Sequence, residues 1–272
     1  MEKRVLDWGK RNILGIGVNV IDYEGALTRV IVAANNCQSL TVSALAVHGV
    51  MTGAKDKIHA SRLNRLDLVV PDGQPVRWAL NMLYDSKLPD RCYGPTLTLK
   101  LCERAAAEGL PVYFYGSRQQ VLDKLSLNLT KKYPKLIVAG SRPSLFRKTT
   151  NVEKEEVTKT IKESGARICF VGLGCPRQET WVYEYRNHLS MPLLAVGAAF
   201  DFHAGLKAQA PTWMQKRGLE WLFRLTEEPQ RLWRRYLILN PLYLSLLTLQ
   251  KMKLKSFEQP KRAVPDNQEQ WG

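Results

Sequence analysis

The strongest constraint on the fold is a regular alternation of short apolar runs with amphipathic stretches, clearest between residues 111 and 196. The apolar runs have strand length, about four to seven residues, and the stretches between them have helix length, about 10–15 residues. Strands joined by helices in this way lie parallel in one sheet, because a helical crossover returns the chain to the same edge. We therefore predict an α/β fold in which a parallel sheet is flanked by helices.

The predicted elements cover most of the first 205 residues, which we interpret as one core domain, residues 1–205. Its strands are predicted at 13–20, 39–47, 66–70, 111–115, 136–139, 166–172 and 193–196. Its helices are predicted at 24–35, 57–65, 75–84, 97–108, 118–132, 152–163 and 177–188.

The composition changes after residue 205, where basic residues far outnumber acidic ones and are interleaved with aromatic residues. The whole chain carries 40 Lys and Arg against 25 Asp and Glu, a net charge of +15, so an anionic partner is expected. Trp and Tyr favour the headgroup level of a bilayer, and cations favour anionic lipid. We predict that residues 206–255 form a basic helical appendage that associates with an anionic membrane surface. A solvated helical cap or an oligomer contact is the alternative, and the polar residues 256–272 are expected to be disordered.

The cysteines and the apolar segments argue against several classes of protein. The five cysteines form no CxxC pair, which argues against a disulfide framework or a structural zinc site and for a reducing compartment. The N-terminal residues lack the apolar core of a signal peptide. The longest apolar stretch, 237–249, is shorter than the roughly 18 residues of a membrane span and contains Asn240 and Pro241. We expect a cytoplasmic protein that touches a membrane without crossing it.

Asp72 is the carboxylate best placed by the sequence to act as a base. It follows a buried apolar run and precedes Gly73, so it is expected at the carboxyl edge of the sheet, where open α/β sheets bind their ligands. Partial burial there would raise its proton affinity and help it to take a proton from a hydroxyl group. The alternative is that Asp72 only caps the helix that starts near Pro75, and the residue types do not separate the two.

The segment Gly172–Glu179 follows a predicted strand and begins the next helix, so its backbone N–H groups are suited to bind a phosphate. It lacks the third glycine of GxGxxG and the Gly-Lys-Ser/Thr of a Walker loop, so its two glycines alone are weak evidence. Gly116 ends another strand. Arg91 lies in a glycine- and proline-rich loop where a guanidinium suits a diphosphate, although a surface arginine is more common. Cys175 has no base beside it in sequence and is interpreted as a small buried residue.

The sequence offers no pattern for a metal ion. No DxD motif is present, so there is no acidic pair that would hold Mg²⁺ on a nucleotide sugar. The isolated Asp201-Phe-His203 is more often a capped turn than a metal site. We therefore predict neither a metal nor another cofactor.

Several sequence blocks together are characteristic of one protein family. In their order and spacing they resemble the WecG/TagA/CpsF glycosyltransferases, family 26, over roughly residues 12–245, and the set is far more specific than any one block. The blocks are Val69-Val-Pro-Asp-Gly73, Arg91 before Tyr93-Gly94, Phe170-Val-Gly-Leu-Gly-Cys-Pro-Arg-Gln-Glu179, Val196-Gly-Ala-Ala-Phe-Asp-Phe-His-Ala-Gly205, Ala210-Pro-Thr-Trp-Met-Gln215 and Gly218-Leu-Glu-Trp-Leu-Phe-Arg224.

The resemblance implies a bacterial inverting glycosyltransferase with a Rossmann-like core that requires no metal. Such an enzyme transfers a sugar from a UDP-sugar to a polyprenyl-diphosphate-linked saccharide, for cell-surface polysaccharide or teichoic acid synthesis. It works at the inner face of the cell membrane, where the basic appendage completes the active site and seats the enzyme peripherally. The donated sugar is expected to be of the N-acetylmannosamine or glucose type.

The resemblance also implies roles for particular residues. Asp72 matches the catalytic base, Thr41 a threonine at the active-site pocket, and Arg91 an arginine that binds diphosphate. Many members read Thr-x-Asn where this chain has Thr41-Val-Ser43, so its choice of donor or acceptor can differ from theirs. The residues expected to bind substrate are Ser43, Gly116, Gly172, Gly174, Arg177, Gln178, Glu179, Arg224 and Arg231.

Two other classes of function fit the sequence less well. A dinucleotide-dependent oxidoreductase would carry GxGxxG on its first strand, whereas Gly15-Ile-Gly17 lacks the third glycine. A nucleic-acid-binding protein would fit the net charge, but its basic residues should follow a groove on the core rather than gather in a terminal segment. We expect no nucleic acid partner, and a homo-oligomer remains open.

Overall fold

A computed structural model describes residues 5–260 and residue 272, and its centre is a six-stranded parallel sheet. The sheet has the strand order β4-β3-β8-β7-β5-β6, and a separate antiparallel hairpin, β1-β2, precedes it. This Rossmann-like arrangement confirms the predicted α/β fold. The strands are β1 Asp7–Ile13, β2 Ile16–Ile21, β3 Leu40–Leu45, β4 Leu68–Pro71, β5 Val112–Gly116, β6 Val138–Arg142, β7 Ile168–Gly172 and β8 Pro192–Ala195.

Helices cover both faces of the sheet, and further helices follow it in residues 206–255, which we call the basic segment. Those of the core are α1 Tyr23–Asn35, α2 Val47–Lys55, α3 Lys57–Arg65, α4 Gln74–Tyr84, α5 Gly94–Glu108, α6 Gln119–Lys132, α7 Asn151–Glu163, α8 Arg177–Tyr185 and α9 Ala199–His203. Those of the basic segment are α10 Thr212–Lys216, α11 Glu220–Glu227, α12 Pro229–Arg234, a π-helical turn Arg235–Leu239, and α13 Asn240–Lys251.

Side-chain alternation along the strands builds a hydrophobic core on each face of the sheet. In β7, Ile168 and Phe170 pack with the helices of one face, and Cys169 and Val171 pack with those of the other. All four side chains are fully buried, as expected for a parallel strand that is covered on both sides.

An aromatic stack anchors α8, the helix that follows β7. The ring centroid of the buried Trp181 lies 4.6 Å from that of Tyr115 and 4.0 Å from that of Tyr185. Such contacts stabilise a packed core beyond the area that they bury. The start of α8 is therefore held rigidly against the sheet, and this matters for the turn in front of it.

The first predicted strand, 13–20, is wrong in its boundaries. The structure ends β1 at Ile13, turns at Leu14 and Gly15 and begins β2 at Ile16. Both turn residues have positive φ, 52° and 87°, as a tight hairpin of this hand requires. The apolar residues run on through the turn, so the periodicity did not reveal the break.

The strand order places the ends of four strands at one crevice. The chain passes from β4 at one edge across the sheet to β5, and β7 and β8 then fill the space between β5 and β3. Ligands of open α/β sheets bind beside such a reversal of strand order, at the carboxyl ends of the strands. A site is therefore expected where β3, β4, β7 and β8 end.

The last helix, α13, packs onto the core. Tyr243 and Leu247 are buried in the hydrophobic core, and the Gln250 amide donates to the carbonyl oxygen of Asn12 and accepts from the N–H of Leu14. The division into core and appendage stays a prediction, as does the disorder of residues 256–272, of which 261–271 lie outside the described residues. Within the described part of the chain, no helix combines the length and the apolarity that a membrane span needs.

Candidate active site

A cleft of about 330 Å³ opens at the carboxyl edge of the sheet, where the topology predicts a site. Its volume lies at the lower end of the range for small-molecule sites. The ends of the central strands form its floor, and α11, α12 and the π-helical turn form one wall. Polar residues that line it and carry the argument below are His48, Asp72, Arg224, Arg231 and Arg235.

Asp72 emerges directly after β4 and is half-buried in the cleft. Its Oδ1 accepts a hydrogen bond from the N–H of Gly94 at 2.6 Å. Within the described residues its Oδ2 has no hydrogen-bond partner, so this oxygen is free to meet a ligand. Burial raises the pKa of Asp72 to about 6, against the opposing effects of Arg91 and of the Gly94 N–H. Gly73, not Asp72, is the cap of α4, so the helix-cap alternative is wrong.

Gly94 is required by the close approach of the backbone to Asp72. A Cβ atom at this position would lie 3.4 Å from Oδ1 of Asp72, 3.2 Å from Cβ of Ala44 and 3.3 Å from the carbonyl oxygen of Val196. A larger side chain would push the first turn of α5 away from the carboxylate. The short hydrogen bond that orients Asp72 therefore depends on this glycine.

Arg91 lies beside the cleft, but its guanidinium is already bound. Its Nη2 lies 2.6 Å from Oε2 of Glu220 in α11, and the guanidinium stacks 4.1 Å from the centre of the Tyr93 ring. The Tyr93 hydroxyl donates to Oε1 of the same glutamate at 2.9 Å. We call Arg91, Tyr93 and Glu220 the latch, because they join the loop after Asp72 to the basic segment. The predicted diphosphate contact of Arg91 would have to share the guanidinium with Glu220.

The turn between β7 and α8 is closed by its own side chains. The N–H of Gly174 donates to Oε1 of Gln178 at 3.1 Å, and the Gln178 amide donates to Oε1 of Glu179 at 2.9 Å. Ser43 Oγ donates to the same Glu179 oxygen at 3.1 Å. Gln178 therefore holds the turn in shape, and only one hydrogen of its amide group remains to bind a substrate. Its predicted role in substrate binding is limited to that one donor.

The other residues predicted around this turn divide into two groups. Gly172 and Gly174 line the cleft, as does Glu179. Arg177 is exposed and is not among the cleft residues, and Gly116 contributes only close backbone packing, since a Cβ there would lie 2.8 Å from the carbonyl oxygen of Gly172. The expected substrate contacts of Arg177 and Gly116 are not supported by this arrangement.

Thr41 does not lie at the cleft, and its predicted place at the pocket is wrong. It is near the amino end of β3, where its hydroxyl donates to Oδ2 of Asp67 and accepts from the Asp67 N–H. The carboxyl end of β3 is four residues further on, roughly 13 Å away. The hydroxyl of β3 that contacts the turn is Ser43, two residues later on the same face.

Two arginines of the basic segment bring unpaired positive charge to the cleft. Arg224 in α11 and Arg235 in the π-helical turn line it, and neither forms an ion pair with an acidic residue in the part of the chain that is described. Burial lowers the pKa of Arg235, and the nearby Arg224 lowers it further. Arg231 is already bound by Glu228, so it is the less available cation.

Three residues of this site were not predicted from the sequence. His48 lines the cleft in the first turn of α2, and burial lowers its pKa to about 4, so the ring is neutral at pH 7. Its position just after β3 was a usable signal. Arg235 and Glu220 follow no strand, and although Glu220 lies in the block Gly218–Arg224, its sequence neighbours do not show that it reaches the cleft.

The arrangement suits a reaction that removes a proton and releases an anion. Asp72 supplies a carboxylate whose raised pKa favours proton uptake, and Arg224 and Arg235 supply positive charge in the same cleft. The basic segment contributes to both parts of this arrangement. It carries the two arginines, and its Glu220 belongs to the latch beside Asp72.

Comparison with known proteins identifies the family of the chain and shows similarity to a bacterial transferase. The model of the glycosyl transferase WecG/TagA/CpsF family matches residues 11–257. The chain is 27% identical over 209 residues to the Bacillus subtilis (strain 168) protein named N-acetylglucosaminyldiphosphoundecaprenol N-acetyl-beta-D-mannosaminyltransferase. That similarity covers 76% of this chain and 79% of the relative.

Proposed function

The chain belongs to the glycosyl transferase WecG/TagA/CpsF family, and from this premise we propose that it transfers a sugar from a UDP-sugar to a polyprenyl-diphosphate-linked saccharide. The product would be an intermediate of a bacterial cell-surface polysaccharide or teichoic acid. The observation that carries the proposal is the cleft in which the Asp72 carboxylate and two unpaired arginines face one ligand space.

The proposed reaction is a single displacement with inversion at the anomeric carbon. Asp72 takes the proton of the acceptor hydroxyl, and the hydroxyl oxygen forms a bond to the anomeric carbon of the donor. The bond from that carbon to the β-phosphate oxygen breaks on the opposite face, and UDP leaves with the electron pair. The free Oδ2 and a pKa of about 6 suit Asp72 to this role near neutral pH.

In this proposal guanidinium groups stabilise the charge that develops on the diphosphate. Arg224 and Arg235 lie where no carboxylate of the described chain neutralises them, so their charge is directed at the ligand. No divalent ion is then needed to bridge the diphosphate, in keeping with the absence of a DxD motif from the sequence.

Replacing Arg235 with alanine is expected to lower turnover about 10²-fold, because one of two cations on the leaving group is lost. The measurement is UDP release with a water-soluble acceptor, so that membrane binding plays no part. Arg234→Ala is the matched control: Arg234 is the exposed neighbour, with its guanidinium over the Trp233 ring. Equal losses in both variants would contradict the assignment.

The donor is best identified by a screen. The relative is named for transfer of N-acetylmannosamine to N-acetylglucosaminyldiphosphoundecaprenol, so UDP-N-acetylmannosamine and that class of acceptor are the first substrates to test. UDP-glucose and UDP-N-acetylglucosamine should be included, because Ser43 stands where many family members have asparagine. UDP release that requires both a donor and the lipid-diphosphate acceptor supports the proposal, and its absence with every pair would overturn it.

The basic segment is also proposed to seat the enzyme on the membrane that carries its acceptor. Leu237 and Ile238 in the π-helical turn are 57% and 51% exposed, and Leu244 in α13 is 56% exposed. Apolar residues at the surface beside many cations are typical of a membrane-surface helix.

Replacing both Leu237 and Ile238 with serine is expected to weaken binding to anionic vesicles about tenfold or more, because their insertion into the bilayer is lost. Co-sedimentation with phosphatidylglycerol vesicles measures this, while turnover on a soluble acceptor should stay near the wild-type value. Leu127→Ser in α6, which removes an apolar side chain that is 66% exposed, is the matched control. Vesicle binding unchanged by the double substitution would contradict a membrane contact there.

A further inference from the structure

Three potential metal ligands converge beside the turn that precedes α8. They are an imidazole nitrogen of His59 in α3, the sulfur of Cys175 in the turn, and a carboxylate oxygen of Glu179 in α8. These ligand atoms all lie within 4.8 Å of one another. The three residues come from two parts of the chain that meet only in the fold, since α3 packs against α8.

Two of these side chains are buried with polar atoms left unsatisfied. His59 is 2% exposed and Glu179 is fully buried. Among the described residues, neither ring nitrogen of His59 has a hydrogen-bond partner, and Oε2 of Glu179 has none beyond the weak hydrogen bond that the Cys175 thiol donates to this carboxylate. A buried polar group without a partner costs about 1–3 kcal/mol, so two such groups side by side call for an explanation.

The other oxygen of Glu179 is held as a metal-binding carboxylate usually is. Its Oε1 accepts from the Gln178 amide at 2.9 Å and from the Ser43 hydroxyl at 3.1 Å. Outer contacts of this kind orient a ligating carboxylate and leave its second oxygen for the ion.

We propose that His59, Cys175 and Glu179 form a binding site for a divalent transition metal ion of the Zn²⁺ class. Nitrogen, thiolate sulfur and one carboxylate oxygen suit Zn²⁺, whereas Mg²⁺ prefers oxygen ligands in an octahedron. The thiolate and the carboxylate together neutralise a dication, which a buried site requires. Zinc–ligand bonds of about 2.0–2.3 Å would draw the ligand atoms roughly 1 Å closer together.

The position of the site decides what the ion would do. Cys175 and Glu179 also line the cleft, so three protein ligands would leave a fourth position on the cleft side for water or a ligand oxygen. The ion would tie α3 to the turn and add positive charge to the cleft wall. It would not replace the arginines at the diphosphate, and its binding does not depend on the proposed transferase activity.

The test uses the full chain, purified under reducing conditions without a metal-binding tag. We expect about one zinc per chain by elemental analysis. After removal of zinc, Co²⁺ should give a thiolate-to-cobalt charge-transfer band in the near ultraviolet. Zn²⁺ at about 100 times its Kd should raise the melting temperature of the metal-free protein by roughly 5–10 °C.

Substitutions test whether the metal binds to the proposed ligands. Cys175→Ser should abolish the cobalt band and His59→Gln should weaken cobalt binding at least 10-fold, whereas Cys37→Ser, which changes an exposed cysteine, should leave both unchanged. If Cys175→Ser does not fold, the wild-type stoichiometry and His59→Gln still decide. Wild-type protein that binds less than about 0.1 metal ion per chain, or a band that Cys37→Ser removes and Cys175→Ser keeps, would overturn the proposal.

Discussion

Replacing Asp72 with asparagine is expected to lower turnover of sugar transfer about 10²–10⁴-fold, because the amide cannot take the proton of the acceptor hydroxyl. The amide oxygen still accepts the hydrogen bond from the Gly94 N–H, so the local fold should survive. Arg224 and Arg235 are unchanged, and the affinity for UDP should therefore stay within a few-fold of the wild-type value. Steady-state UDP release and calorimetric UDP binding measure the two effects.

The matched control for this variant is Asp85→Asn. Asp85 is an exposed residue that caps α4 with a positive φ of 49°, a conformation that asparagine tolerates. Its turnover should equal that of the wild type. If Asp72→Asn retains turnover within tenfold of the wild type, Asp72 is not the base.

Replacing Glu220 with glutamine is expected to lower the free energy of unfolding by about 3–5 kcal/mol, because it leaves the buried guanidinium of Arg91 without its counter-charge. Urea unfolding measures this loss. The double variant Arg91→Met, Glu220→Gln should regain part of it, because the unpaired charge is then gone. If the double variant loses as much free energy of unfolding as the two single variants together, Arg91 and Glu220 do not stabilise the fold as a pair.

The same substitution separates a positioning role from a purely structural one through its effect on pH dependence. The negative charge of Glu220 raises the pKa of Asp72, and the positive charge of Arg91 lowers it. Turnover of Glu220→Gln should therefore reach its plateau at lower pH than that of the wild type, and turnover of Arg91→Met at higher pH. If Glu220→Gln and Arg91→Met lose stability but keep the pH profile of the wild type, the latch has only a structural role.

Much of the fold was predictable from local pattern. The alternation of apolar runs and amphipathic stretches gave the parallel sheet, and the helix at 57–65 coincides with α3. Asp72 was predictable as a cleft residue because it follows directly after a buried strand, where side chains of α/β sheets meet their ligands.

The remaining parts of the site depend on contacts between distant residues. Arg91 and Glu220 are 129 positions apart, and nothing near Arg91 indicates that a glutamate of the basic segment binds it. Thr41 and Ser43 have similar side chains on one face of β3, and only the fold shows that Ser43 contacts the turn before α8 through Glu179 whereas Thr41 contacts Asp67. Cys175 looked inert because its candidate partner His59 belongs to α3, which is distant from the turn in sequence.

The central claim is that Asp72 serves as the base in transfer from a UDP-sugar to a lipid-diphosphate acceptor, and the pH dependence of acceptor-dependent UDP release tests it most directly. Because only the ionised carboxylate accepts the proton, kcat/KM should rise with pH, reach half its maximum near pH 6 and stay constant above it. UDP release that is independent of the acceptor, or a rate that is flat between about pH 4.5 and 8, would contradict it.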